Sequence, residues 1–129
     1  MGKLIINYLF LLRTTFFAVI FLTINSCSSI EMISIKNNTN ETIQFHGQFI
    51  TQSGMTDNLN FTLKPGDNNL WRYEAGFLEK KNLDKGLTKI ILENDSECKI
   101  LLERDMIKKI AIKNGMWKIN IDNKIMNCN

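Results

Sequence analysis

One histidine and one proline in 129 residues leave little to build a conventional active site from. No CxxC pair, HExxH, GxSxG or Gly-rich phosphate loop occurs. Zinc-ribbon, zinc-protease, serine-hydrolase and nucleotide-binding chemistry therefore lack their signatures, and the chain is expected not to be an enzyme. A single proline beside 44% apolar residues argues against disorder and against a collagen-like repeat. The length suits one domain and is short for two. Ile (18), Asn (16) and Lys (13) are over-used throughout, so Asn-rich and Lys-rich stretches are not signals in themselves.

Charge is also missing from the start of the chain, where Lys3 and Arg13 are the only charged residues of the first thirty. Between them and the domain lies an uncharged block, Thr14 to Ile24. Its eleven residues rise about 16 Å as a helix, roughly half a hydrocarbon core, which is too short to span. Extending it back to Leu4 places Arg13 near mid-membrane, at a cost of about 2.5–3.5 kcal/mol on insertion scales. A basic start, a short apolar region and small polar residues after it predict a secretory signal over residues 1–26.

The residues that close this signal, Ile24-Asn25-Ser26-Cys27, resemble the lipobox of bacterial lipoproteins, with an aliphatic residue at −3, a small one at −1 and Cys at +1. That resemblance implies a diacylglycerol thioether on the Cys27 sulfur, cleavage after Ser26, and an acyl chain on the new amino terminus. No other cofactor is expected. Two or three chains make a near-permanent anchor, because each buried methylene contributes about 0.8 kcal/mol. Ser28, where Asp would mark inner-membrane retention, implies the outer membrane with the domain facing the periplasm. Residues 27–31 are then a tether and 32–129 the working domain.

Without residues 1–26 the chain keeps fourteen Lys/Arg against thirteen Asp/Glu, a net of +1, so no nucleic-acid partner is implied. With Cys27 lipidated, Cys98 and Cys128 remain as an even pair in an oxidising compartment and are expected to form a disulfide.

The domain reads as strands. Ile33 and Ile35 alternate with polar neighbours ahead of the Asn37–Asn40 turn cluster. Ile43, Phe45 and Phe49 then share one face, with Gln44, His46 and Gln48 on the other. Leu59, Phe61 and Leu63 make a third inward row, ended by the Pro65-Gly66-Asp67 turn. Trp71 and Tyr73 oppose Arg72 and Glu74. Residues 76–86 fit either two helical turns or a long loop. Thr88–Glu93 and Cys98–Glu103 predict a hairpin pairing Glu93 with Cys98, with apolar pairs on both faces. Met106–Lys113 and Met116–Asp122 flank Asn114-Gly115, which predicts a two-residue turn that pairs Ile112 with Trp117. Seven or eight strands in about 100 residues predict an all-β, two-sheet antiparallel sandwich, transthyretin-like or immunoglobulin-like.

His46 falls on a polar face and reads as a surface residue. Asp95 with Glu97, and Glu103 with Asp105, cluster at strand ends without calcium-loop spacing and read as solvated charges, so no metal is expected. Trp71 and Tyr73 could stack on a sugar or grip a partner, while Trp117 reads as core. The sequons at Asn37, Asn40, Asn60 and Asn94 read as chance in an Asn-rich chain.

The lipobox, the opening Ile33-Ser34-Ile35-Lys36-Asn37 strand and the strand-rich run to Asp122 together resemble the small outer-membrane lipoprotein of type VI secretion membrane complexes, of the divergent pathogenicity-island type. That resemblance implies a transthyretin-like sandwich with a non-catalytic role. It would hold an envelope secretion complex to outer-membrane lipid and bind the periplasmic domain of an inner-membrane subunit. The family makes that contact with a loop after the first strand. Here Asn37–Glu41 is short, and the longer Thr51–Asn58 loop follows the second strand. A surface-displayed ligand-binding or adhesive lipoprotein is the alternative expectation.

Overall fold

Side chains along a strand alternate between its two sides, so inward rows need a second sheet to cover them. The computed structural model describes residues 29–51 and 53–128. In it, the rows at Ile33/Ile35, Ile43/Phe45/Phe49 and Leu59/Leu63 all enter one core. The elements are β1 (Ser29–Asn37), β2 (Ile43–Ile50), β3 (Thr56–Leu63), β4 (Asn68–Ala75), α1 (Phe77–Lys81), a 3-10 turn (Leu83–Lys85), β5 (Leu87–Asn94), β6 (Lys99–Glu103), α2 (Arg104–Ile110), β7 (Ile112–Asn114) and β8 (Met116–Ile121). One sheet has the order β4-β1-β8-β7 and the other β3-β2-β5-β6. Every pairing is antiparallel except β1 with β8. The structure is thus the expected two-sheet sandwich, with one parallel pair inside it. β1 and β2 lie in different sheets, whereas the immunoglobulin order sets the first two strands side by side.

Between the sheets, Ile33, Ile35, Ile43, Phe45, Ile90, Leu92, Ile119 and Ile121 are fully buried, each contributing about 1.5–3 kcal/mol of hydrophobic stabilisation. Gly47 interrupts the inward row of β2 because the Phe45 ring lies across it. A Cβ there would sit 2.8 Å from that ring and 3.3 Å from Leu87. Phe45 in turn stacks on Phe61, its cross-strand partner, at 4.6 Å between ring centroids. The ring therefore has no room to move aside.

Asn37 is a polar side chain set within this core. It is fully buried at the end of β1, and its Nδ2 donates to the carbonyls of Glu41 and Leu63 at 2.8 and 2.9 Å. Its Oδ1 accepts from the Thr39 N–H at 2.9 Å and the Thr39 hydroxyl at 2.7 Å. Its main chain bonds to Asp67 and Gly66 in the β3–β4 turn.

Five sequence expectations are corrected. β1 begins at Ser29, so residues 29–31 belong to the sheet rather than to a tether. The β5–β6 hairpin pairs Glu93 with Lys99, one residue off the expected Cys98. The extra residue is held by Glu97 in the left-handed region at φ 59°, while Asn94 Oδ1 accepts from the Cys98 N–H at 2.8 Å. β6 is an edge strand and its Leu101 is half exposed, so its outer face is not covered.

Residues 106–110, expected to open the Met106–Lys113 strand, lie instead in α2. Ile107 and Ile110 lie three apart and turn to the core, Asp105 sits in the first turn and Lys108 and Lys109 in the last. The following hairpin closes with Gly115 alone at its apex (φ 73°), pairing Lys113 with Trp117 and Ile112 with Lys118. Ile112 therefore points outward, and Trp117 is buried opposite a lysine instead. Residues 76–86 resolve as α1 and the 3-10 turn, the helical option of the two.

Candidate docking edge and anchored end

A sandwich of two four-stranded sheets has four edge strands, and here they differ sharply in how they are defended. β7 is three residues long and exposed throughout, and its Lys113 lies opposite Trp117. The Lys113 Nζ lies 5.2 Å over the Trp117 ring, pairs with Glu31 at 3.0 Å, and donates to the Lys80 carbonyl at 2.6 Å. A lysine on the edge and a short strand are both recognised ways to blunt it. β6 has five residues, and next to its start Cys98 lies at disulfide distance from Cys128, with 5.9 Å between Cα atoms. The expected pairing of these two cysteines is thus what the structure shows. It fastens the carboxyl-terminal turn, where Ile125 and Met126 pack on the core.

β3 and β4 are different. Each has eight residues, each pairs on one side only, and both lie on the same flank of the sandwich. They are joined by the Lys64–Asp67 turn, in which Asp67 Oδ2 accepts from the Lys64 N–H at 2.9 Å and Gly66 takes φ 84°. Neither strand carries a proline or a lysine. These are the two long edges of the sandwich, and an edge strand has one side outside the ladder, available for pairing with another chain.

Between these edges opens a cleft of about 410 Å³, lined by Phe49, Thr51, Ser53, Asp57 and Trp71 to Glu74. Its floor is aromatic. Trp71 and Tyr73, two apart on β4, stack with centroids at 5.0 Å, and Phe49 from the facing sheet meets both edge-on at 4.7 and 4.9 Å. Phe49 and Tyr73 are buried, while Trp71 is half-buried and Arg72 and Glu74 are exposed at the rim. Aromatic floors with a charged rim suit a side chain or a sugar ring. Sequence reading singled out Trp71 and Tyr73. It missed Phe49 as part of the same group, because nothing in the pattern says which end of β2 faces which end of β4.

The remaining candidates stay apart. His46 is exposed on the outer face of the second sheet, where its Nδ1 lies 2.8 Å from Oδ1 of its cross-strand neighbour Asn60. Asp95 Oδ2 accepts from the Thr42 N–H at 3.1 Å, capping a turn. Glu103 and Asp105 are exposed. Among the described residues no three His, Cys, Asp or Glu side chains gather to hold a metal, and no helix is long and apolar enough to cross a membrane. Cys27 and the signal residues lie outside the described residues. Comparison with family models, curated proteins and solved structures finds no match for this chain.

Proposed function

We propose that this protein is a non-catalytic outer-membrane lipoprotein, anchored through acyl chains on Cys27 and facing the periplasm. There it docks the periplasmic domain of an inner-membrane secretion protein, in a type VI-like envelope complex, along the β3/β4 flank. The observation that carries the docking half is the asymmetry of the edges: one flank is short, lysine-blocked and tied by a cysteine pair, while the other is long and open beside an aromatic cleft. Strand addition to such an edge draws affinity from main-chain hydrogen bonds and specificity from alternate side chains, which here would fall into the cleft over Trp71. The anchoring half rests on the lipobox, and the Ser29 start of the sheet is compatible with it.

Pull-down from detergent-solubilised envelopes tests the reading. It should recover an inner-membrane protein with a large periplasmic domain, and recovery of the bait alone counts against it. The aromatic cleft also favours a second reading, a displayed lipoprotein that binds a sugar or adheres. Protease treatment of intact cells separates the two, since a periplasmic scaffold is protected and a displayed adhesin is cut.

A further inference from the structure

Building on the lipid-anchor reading, we propose that the end of the sandwich carrying α1, the 3-10 turn and α2 rests directly on the phospholipid surface. This makes it a second, non-covalent membrane contact. Only one residue separates Cys27 from Ser29, the first residue of β1. Two residue steps reach at most about 7 Å, no more than the thickness of a headgroup layer. An acyl chain seated in hydrocarbon therefore leaves the Ser29 end no room to stand off.

That end is suited to a bilayer. β8 runs parallel to β1 and β2 runs antiparallel to it across the core, so the β7–β8 hairpin, the end of β2 and both helices gather where β1 begins. The two helices flank the 3-10 turn, and the Lys113 bond to the Lys80 carbonyl fixes α1 beside the hairpin. Of the seven exposed large apolar side chains among the described residues, four belong to this end, namely Ile30, Met55, Leu78 and Met106. Residues 77–85 and 104–110 carry six Lys/Arg against three Asp/Glu, one of which, Asp84, is buried. Charge and apolar groups on one surface, beside the attachment point, match an anionic phospholipid interface.

The test uses the acylated protein in vesicles of phosphatidylethanolamine and phosphatidylglycerol (3:1) containing a shallow doxyl-lipid quencher. An environment-sensitive thiol dye is placed by Leu78→Cys or Met106→Cys, and at the opposite end by Lys64→Cys or Asn123→Cys. The dyes at 78 and 106 should be quenched at least twofold and those at 64 and 123 left unchanged. Adding Lys80→Glu, Lys108→Glu and Lys109→Glu should reduce the quenching at 78 while the protein stays vesicle-bound. Equal signals at all four positions on acylated, vesicle-bound protein overturn the proposal and leave the anchor standing, with this end free for a protein partner. A protein that carries no acyl mass and stays off the vesicles overturns both.

Discussion

The side-chain amide of Asn37 in one sheet donates to the carbonyl of Leu63 in the other at 2.9 Å, deep in a core otherwise made of aliphatic and aromatic groups. The same side chain holds the β1–β2 turn through Thr39 and Glu41. Asn37→Ala would delete four side-chain hydrogen bonds and strand buried partners, so a loss of about 2–4 kcal/mol is expected in urea unfolding. Asn37→Asp should be no better, because a carboxylate cannot donate to the carbonyls of Glu41 and Leu63. Wild-type stability in both variants would refute this role.

Gly47 gives a second expectation. Gly47→Ala forces a methyl against Phe45, which Phe61 holds in place, and should cost about 1–3 kcal/mol. Adding Phe45→Leu should recover part of that loss, as coupled neighbours do in a double-mutant cycle. Strict additivity of the two changes would show that the clash is not between these residues.

The cysteine pair closes a separation of 30 residues, for which chain entropy predicts about 3–4 kcal/mol. Cys98→Ser should lower the midpoint of unfolding in the absence of reductant and should make the protein insensitive to added reductant. An unchanged midpoint in that variant would mean that the tail is held by Ile125 and Met126 alone.

Much of this fold was legible because inward rows with a period of two leave few choices. The rows of β1, β2 and β3, the Pro65 turn and the sandwich follow from that rule. Hairpin registers were not legible to the residue. Glu97 at positive φ and Gly115 alone at its apex each shift a pairing by one, and neither conformation is marked by residue type with enough force. Met106 and Ile110 fit a strand face only if Lys108 shares it, whereas Ile107 and Ile110 fit one helix face, which packs on the 3-10 turn and β5. The aromatic cleft needed Phe49 to meet Trp71 across the core, a relation of tertiary structure alone.

For the docking flank, Trp71→Ala should reduce recovery of the inner-membrane partner about tenfold, the loss expected when an aromatic anchor is removed. His46→Ala, on the outer face of the other sheet, should leave recovery unchanged. Equal effects from both would place the contact elsewhere, provided circular dichroism shows both variants folded.

The measurement that bears most directly on the whole account is intact-mass spectrometry of the protein extracted from bacterial membranes. A first residue at Cys27 bearing the mass of a diacylglycerol and an acyl chain is the predicted result. An uncut precursor, or a mature chain starting at any other residue, would contradict it.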